Sequence, residues 1–254
     1  MHPLLRFAAR AVPSSLKQRL KDDLARYFQA PSMELSLKNM RRLGFRPAAI
    51  VDIGAHVGEW SLLVHTVFPE ASVLMLEAQE SKAPALDKIG RAHPGKISHR
   101  IALLGPENRD SVPFNECDNA PTGSSVLAFT SREPLKFHVV QRRMEALDSV
   151  LASTGLARPD FLKLDVQGFE LEILKGAPNA LATAEAVLLE LSTIAQYEAA
   201  PLFHEVVAFM NSQGYHVFDI CTLMRQRTEN TLVQVDVIFV KVTSPLFTKA
   251  IEQL

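Results

Sequence analysis

Two glycines four residues apart follow a short apolar stretch, in a pattern that can bind a small ligand. The stretch Ala49 to Ile53 is followed by Gly54 and Gly58, and an apolar helical pattern begins directly after them. Because glycine lacks a Cβ, Gly54 allows the backbone to turn sharply and to approach a ligand closely. Ligands of parallel α/β sheets bind where strands end and helices begin. Residues 51–58 are therefore a candidate ligand-binding turn.

The spacing of these glycines argues against a dinucleotide. The fingerprint G-x-G-x-x-G, counted from Gly54, needs glycine at two further positions, which hold His56 and Glu59 here. Glu59 at a helix start would also repel the pyrophosphate that the helix dipole attracts. S-adenosylmethionine carries no phosphate and has a cationic sulfonium and an ammonium, so an acidic neighbour such as Asp52 suits it. The residues therefore favour S-adenosylmethionine as the cofactor.

Glu77 ends the next predicted strand, roughly 20 residues beyond Gly58, where this architecture places a carboxylate on a ribose diol. A solvated loop acid is the alternative for Glu77. For Asp52 two roles stay open: binding the amino end of the donor, or bracing the turn by accepting backbone N–H groups. The predicted cofactor-binding residues are Asp52, Gly54, Ala55, His56, Gly58, Glu77, Ala78 and Asp165.

The catalytic candidates are two acids and a histidine at the same edge of the predicted sheet. Methyl transfer to an alcohol is an in-line displacement, so an enzyme must align the reactants and help to remove a proton. Asp165 and Glu190 lie at the ends of two predicted strands, and His56 lies in the donor turn. We therefore expect Asp165, Glu190 and His56 to carry the chemistry. His138 and His204 are expected to have surface or capping roles.

Lys163 shares a strand face with Asp165, because side chains alternate along a strand. Charged groups on apolar strands are costly to bury unless they are paired, which invites a functional interpretation. A structural ion-pair network, or a helix cap by Asp165, is the alternative. Asp165, Glu190 and a histidine could also hold a divalent cation. No ligand spacing supports such a site, so no metal is predicted.

Short apolar runs alternate with helical patterns from Ala48 onward, which predicts an α/β fold with a mostly parallel sheet. Trp60 is expected to pack the first of these helices on the sheet. The predicted strands are Ala49 to Ile53, Ser72 to Leu76, Ile97 to Leu103, Phe161 to Leu164 and Ala186 to Leu191. The predicted helices are Glu59 to Phe68, Lys82 to Ala92, Gly168 to Leu174 and Leu202 to Gln213.

Two regions depart from simple alternation. The stretch Gly105 to Arg143 is rich in Pro, Asn, Ser and Gly, which predicts an insertion of loops and edge strands. Ser124 and Ser125 within it are candidates for holding a substrate, or form a turn before an edge strand. The runs Tyr215 to Met224 and Leu232 to Val242 predict a C-terminal antiparallel hairpin.

The N-terminal part, residues 1–45, is predicted to be an appended helical extension of a domain that covers residues 46–254. Apolar residues recur there at helical spacing, for example at Leu16, Leu20 and Leu24. Packing beside the core is its expected role, with a substrate lid, a membrane-surface anchor or a cover for a partner subunit as alternatives. A homo-oligomer therefore stays open.

Composition and charge limit the partners. Lys and Arg (27) nearly cancel Asp and Glu (28), so no global field favours nucleic acid or an anionic membrane. Arg6 and Arg10 interrupt the N-terminal apolar residues, and no run of about 18 uncharged apolar residues exists, so neither a signal peptide nor a membrane span is expected. Cys117 and Cys221 are expected to be free thiols of a cytoplasmic protein.

Three segments resemble the FkbM-type methyltransferases: Asp52 to Gly58, Phe161 to Ala177 and Leu189 to Ser192. The second segment, with D-V-x-G-x-E followed by L-K-G-A, is specific in combination, whereas many methyltransferases share the first. The resemblance covers about Leu43 to Val242. It implies a class I methyltransferase Rossmann-like fold with a seven-stranded sheet that ends in the antiparallel hairpin. Many relatives have Asn where this chain has His56.

The resemblance and the residues together predict an S-adenosylmethionine-dependent O-methyltransferase. Its acceptor is expected to be a small molecule or a glycan, methylated on a hydroxyl of a sugar, a glycan or a natural-product intermediate. An N- or C-methyltransferase of the same fold is one alternative, because it would need no alcohol deprotonation. A non-catalytic Rossmann-like binding protein is the other.

Overall fold

The computed structural model describes Tyr27 and residues 30–130, 135–156, 158–226 and 229–252. These residues form an α/β fold, as predicted. Most of the predicted N-terminal extension, including Leu16, Leu20 and Leu24, lies outside the described residues, and the division at residue 45 stays a prediction.

The helices and strands follow one another in the order expected of repeated βα units. The strands are β1 (Ala49–Ile53), β2 (Ser72–Glu77), β3 (Ile97–Ile101), β4 (Leu103–Gly105), β5 (Arg109–Cys117), β6 (Phe137–Ala146), β7 (Phe161–Leu164), β8 (Ala186–Ser192), β9 (Tyr215–Arg225) and β10 (Leu232–Lys241). The α-helices of the described part are α1 (Met33–Arg42), α2 (Glu59–Val67), α3 (Ala83–Ala92), α4 (Leu147–Thr154), α5 (Glu170–Lys175), α6 (Pro178–Thr183), α7 (Phe203–Ser212) and α8 (Pro245–Ile251).

The main sheet has seven strands in the order β3-β2-β1-β7-β8-β10-β9. Strands β1, β2, β3, β7 and β8 pair in parallel, whereas β10 pairs antiparallel with both β8 and β9. The predicted C-terminal hairpin is therefore confirmed. The strand order reverses beside β1, because β2 lies on one side of it and β7 on the other. Ligands of open α/β sheets bind at such a switch point.

Both faces of the sheet are covered by helices, which is why β1 and β7 are buried along their whole length. On one face, α4, α6 and α7 pack on residues such as Leu162 and Phe239. On the other, α1, α2 and α8 pack on Ile50, Phe161 and their neighbours. Trp60 stacks edge-on against Phe161 with ring centroids 5.7 Å apart, so its predicted packing role is confirmed.

The predicted strand Ile97 to Leu103 is wrong as a single element. The backbone N–H of Ala102 donates to the carbonyl of Glu77 at 2.8 Å, and the chain then leaves the main sheet. Residues Leu103–Gly105 form β4, which pairs in parallel with β6, while β5 pairs antiparallel with β6. The insertion is thus a three-stranded sheet of its own, in the order β4-β6-β5.

Two further observations bear on the predicted class of protein. Cys117 and Cys221 are both buried free thiols, as expected. Within the described residues, no helix has the length and apolar character needed to cross a membrane.

Candidate active site

A cavity of about 420 Å³ opens at the carboxyl ends of β1, β2, β7 and β8. The fold brings six of the predicted site residues to its wall: Gly54, His56, Glu77, Ala78, Asp165 and Glu190. Three others, Asp52, Ala55 and Gly58, are not part of the lining. The separation has a simple basis, because residues at the strand ends face the cavity while Asp52 and Gly58 are turned toward the core.

Gly54 is held where only glycine fits. Its N–H and that of Ala55 both donate to the carbonyl of Leu76, at 2.9 and 3.1 Å, which ties the turn after β1 to the end of β2. The φ of Gly54 is +75°, and a Cβ there would lie 1.9 Å from the carbonyl oxygen of Asp165. The backbone segments that end β1 and β7 therefore touch at this point, and they form the floor of the donor side.

Glu77 organises the rest of the donor turn. Its Oε2 accepts the N–H of His56 at 2.7 Å and its Oε1 accepts the N–H of Gln79 at 2.9 Å. His56 has a φ of +50°, in the left-handed region that residues other than glycine seldom adopt, and the bond to Glu77 stabilises it there. Each carboxylate oxygen keeps a second lone pair. Glu77 can therefore brace the turn and still accept hydrogen bonds from a ligand.

Asp52 and Lys163 form a buried ion pair under the same turn. Lys163 Nζ lies 3.1 Å from Asp52 Oδ1 and donates to the Gly54 carbonyl at 3.1 Å. It also lies 3.6 Å from Asp165 Oδ2. The Ser61 hydroxyl donates to Asp52 Oδ2 at 2.7 Å. These contacts fit the second role considered for Asp52, which is to brace the turn. Asp52 does so through Lys163 rather than by accepting backbone N–H groups.

The charge state of Lys163 follows from those contacts. Burial alone lowers the pKa of a lysine, but the carboxylates of Asp52 and Asp165 outweigh it and raise the pKa of Lys163 above its ordinary value. Lys163 is therefore an ammonium group. It belongs to the structural ion-pair network that was the alternative for this residue, and it does not line the cavity.

Asp165 and Glu190 are bridged by the side chain of Gln167, and a second glutamine binds Glu190 alone. Gln167 Nε2 donates to Asp165 Oδ1 at 3.0 Å and to Glu190 Oε2 at 2.9 Å. Gln234 Nε2 donates to the same Glu190 oxygen at 2.9 Å. Neither glutamine was a candidate from the sequence. The usable signal was a polar residue at position 234 in the otherwise apolar start of β10, opposite the end of β8.

Two buried glutamates at this end of the sheet, Glu190 and Glu170, have raised pKa values. Burial raises the pKa of Glu190 well above its ordinary value, and the neighbouring carboxylates of Asp165, Glu170 and Asp236 raise it further. Burial also raises the pKa of Glu170 to about 7. Glu170 Oε1 accepts the N–H groups of Val166 and Gly168, at 2.9 and 3.2 Å. Glu170, in the helix after β7, therefore exchanges its proton near neutral pH.

The histidines differ in place and state. His56 lines the cavity, and its Nε2 is buried with no hydrogen-bond partner among the described residues. Burial and the nearby Lys82 lower the pKa of His56, which favours the neutral imidazole. His138 lies on β6 beside Asp118, with Nδ1 2.7 Å from Oδ1, and His204 is exposed on α7. The predicted surface roles of His138 and His204 agree with these positions.

The insertion closes the cavity from the other side. Ser124 lines it and accepts the N–H of Cys117 at 3.0 Å, whereas the Ser125 hydroxyl donates to the carbonyl of Gln167 at 2.9 Å. The Tyr197 hydroxyl lies 3.1 Å from both Gln167 Oε1 and the carbonyl of Gly123. The loop after β7, the insertion and the loop after β8 are therefore joined at Gln167. Sequence patterns gave no sign of Tyr197.

No group of three or more potential metal ligands is assembled within the described part of the chain. The lining does fit S-adenosylmethionine, because Glu77 can accept hydrogen bonds from ribose hydroxyls and the nearby carboxylates suit a cationic donor.

The sequence matches the model of the methyltransferase FkbM domain over residues 52–217. The chain belongs to the FkbM methyltransferase family. It is 24% identical over 197 residues to methyltransferase sdnD of Sordaria araneosa, a match that covers 66% of the chain and 73% of sdnD. It is 24% identical over 140 residues to hexuronic acid methyltransferase AglP of Haloferax volcanii, covering 55% of the chain and 54% of AglP.

Other matches cover smaller shares of the relatives. The AMB antimetabolite synthetase AmbE of Pseudomonas aeruginosa is 25% identical in an alignment of 176 residues. The match covers 57% of the chain but only 8% of AmbE. The crystal structure of methyltransferase FkbM from Methylobacillus flagellatus has a TM-score of 0.51 at 16% identity, covering 84% of the chain and 50% of that protein. These comparisons confirm the predicted family and fold.

Gly54→Ala is expected to abolish binding of S-adenosylhomocysteine, because its Cβ would meet the Asp165 carbonyl. Gly95→Ala is the matched control, since Gly95 has a similar φ of +73° with nothing within 4 Å of an added Cβ. Both variants carry the backbone cost of about 1 kcal/mol. Calorimetric titration and thermal denaturation check this. Wild-type affinity of Gly54→Ala would contradict the assigned floor.

Glu170→Gln is expected to remove a pH dependence of stability. A folded pKa of about 7 means that Glu170 stabilises the fold fully below the pKa of an unfolded glutamate and loses that contribution as pH rises through 7. The wild type should therefore lose roughly 1–3 kcal/mol relative to the variant between pH 5 and pH 8.5. Urea unfolding at several pH values measures this. Glu70→Gln, on an exposed side chain, is the control, and a pH-independent difference for Glu170→Gln would refute the shift.

Proposed function

We propose that this methyltransferase uses S-adenosylmethionine to methylate a hydroxyl group of a sugar, a glycan or a natural-product intermediate. The observation that carries the proposal is the pair Asp165 and Glu190 at the cavity, bridged by Gln167, with Gln234 bound to Glu190. A hydroxyl acceptor needs a group that takes up its proton, and this pair supplies one.

The donor is assigned to the side of the cavity formed by Gly54, His56, Glu77 and Ala78. When bound there, S-adenosylmethionine supplies an electrophilic methyl group. Gly54 lets the donor approach the backbone. Glu77 accepts hydrogen bonds from the ribose hydroxyls of the donor, and Asp165 stabilises the positive charge of the donor. Asp52 supports the site from beneath through Lys163 rather than by contact with the donor.

Glu190 is proposed as the proton acceptor of the reaction. Its raised pKa gives it more affinity for a proton than an ordinary glutamate, while its position beside Asp165 keeps it at the wall of the cavity. The amide of Gln234 holds one carboxyl oxygen in place. An N- or C-methyltransferase would not need this group in the same way, which is why the hydroxyl acceptor is favoured.

A relative supports the choice of acceptor. AglP is named as a hexuronic acid methyltransferase, so a sugar is a substrate of at least one protein similar to this chain. The chain spans about half of AglP, and we carry over the class of substrate and not its identity. A cytoplasmic location and a homo-oligomer remain predictions.

Glu77→Ala should weaken binding of S-adenosylhomocysteine by about 10–100-fold, the loss expected for hydrogen bonds to a charged group. Glu77→Gln, which keeps one carbonyl oxygen for the turn, should lose less. Glu70→Ala, on a side chain that is 96% exposed, is the control. Calorimetry measures all three, and an unchanged affinity of Glu77→Ala would remove Glu77 from the ribose site.

Glu190→Gln should lower the methyl-transfer rate by about 10²–10⁴-fold while leaving affinity for S-adenosylhomocysteine within a few-fold. The base acts when deprotonated, so the wild-type rate should rise with pH through a pKa above that of an ordinary glutamate. The variant should lack this rise. Transfer from labelled donor to a panel of sugars and glycosylated metabolites tests it. A wild-type rate and pH profile in Glu190→Gln would exclude Glu190 as the base.

A further inference from the structure

The part of the cavity wall around Glu190, here named the acceptor half, is otherwise formed by uncharged groups. They come from separate segments: Phe129 from the insertion, Gln167 from the loop after β7, Gln196 and Tyr197 from the loop after β8, and Gln234 from β10. Glutamine amides donate and accept hydrogen bonds at once, as hydroxyl groups do. The acceptor half therefore matches the chemistry of an alcohol better than that of an ion.

The charges of the cavity have one sign. Its charged lining residues in the described part of the chain are Glu77, Asp165 and Glu190, with no lysine or arginine among them. Lys163 lies beneath and is already engaged by Asp52 and Asp165. Among the described residues, the lining therefore offers a carboxylate or phosphate of the acceptor three carboxyl groups and no cationic side chain to pair with.

One buried side-chain amide in the acceptor half has a hydrogen-bond donor without an acceptor among the described residues. Gln196 Nε2 is buried and has no hydrogen-bond partner among the described residues. A buried N–H group without a partner is costly, so such a group at a cavity wall points to an oxygen of a ligand. By contrast, the amide nitrogens of Gln167 and Gln234 already donate to carboxyl groups of the site.

Phe129 and Tyr197 add a rigid apolar wall. Their backbones form an antiparallel bridge, and their rings lie 5.3 Å apart at 70°. The Tyr197 hydroxyl is held by the carbonyl of Gly123 or the amide oxygen of Gln167, which fixes the ring. Aromatic rings of this kind suit the apolar C–H face of a saturated ring, while amides suit its hydroxyl groups.

We propose that the acceptor is an uncharged polyhydroxylated ring, packed on Phe129 and Tyr197 and bound by the amide of Gln196, and that carboxylated or phosphorylated sugars are excluded. The proposal rests on the function proposed above and narrows its substrate class. It departs from what the name of AglP states for that protein, whose substrate is a hexuronic acid.

The test uses the full chain saturated with S-adenosylhomocysteine and ligand-observed saturation-transfer NMR. The probes are matched sets: methyl glycosides of glucose, galactose, mannose and rhamnose, together with myo-inositol, against glucuronate, galacturonate, mannuronate and the 6-phosphates of the three hexoses. We expect transfer to at least one neutral compound and to none of the anions. Transfer to an anion at an equal or lower concentration, or to none of the neutral compounds, would overturn the proposal.

Two variants of Gln196 make the test specific. Gln196→Leu should weaken the neutral ligand by about tenfold, the loss of one hydrogen bond to a buried amide. Gln213→Leu, at an exposed glutamine that ends α7, should leave it unchanged. Gln196→Arg should reverse the preference and allow a uronate to bind. A neutral ligand that binds Gln196→Leu as well as the wild type would exclude Gln196 from the acceptor site.

The donor is measured separately by calorimetry with S-adenosylhomocysteine on each variant. If the donor fails to bind the wild type, the proposed function is wrong. If it binds and labelled methyl groups are transferred to an anionic sugar, the proposed function stands and the neutral acceptor is refuted.

Discussion

The ammonium group of Lys163 is the point at which the parts of the active site meet. It is buried between Asp52 at the end of β1, the carbonyl of Gly54 in the donor turn, and Asp165 beyond the end of β7. Removing one partner of such a buried pair costs about 3–5 kcal/mol, because the other charge is left uncompensated. Two carboxylates and the Gly54 carbonyl, from both central strands, all contact this one charge. The glycine floor and the Glu77 turn are arranged above it.

The site concentrates negative charge around that ammonium. Asp165, Glu170, Glu190 and Asp236 influence one another, and burial raises the pKa values of the last three. A cluster of this kind holds some of its members as neutral acids until a cation arrives. The sulfonium of S-adenosylmethionine is such a cation. On the proposed function, the same electrostatics would favour this donor and would provide a group that takes up the proton of an alcohol.

The turn after β1 and its contact with the end of β2 could be predicted from the sequence because their parts are local, while their binding of the donor stays a prediction. Gly54, His56 and Glu77 lie at the ends of adjacent strands, and a strand followed by a glycine turn is visible in a window of ten residues. The acceptor half is different, because Phe129, Tyr197 and Gln234 are brought together only by the order of the strands.

The missed division of Ile97 to Leu103 has the same origin. The run is apolar enough to suggest one strand, and nothing within it shows that the N–H of Ala102 is taken by the carbonyl of Glu77. Asp52 shows the converse. The motif singled out Asp52, yet Asp52 braces the turn through Lys163, which lies more than a hundred residues away along the chain. No local sequence pattern contains that contact.

The pairing of β4 with β6 brings the two ends of the insertion together. Leu104 lies beside Glu145 and Gly105 beside Ala146, so the chain enters and leaves the small sheet at neighbouring positions on the main fold. Between these positions the sequence can lengthen, shorten or be exchanged without altering the strands that hold the donor turn. Descendants of one ancestral gene could in this way acquire new acceptors by replacing a segment that starts and ends in the same place, while the machinery for the methyl donor is inherited intact.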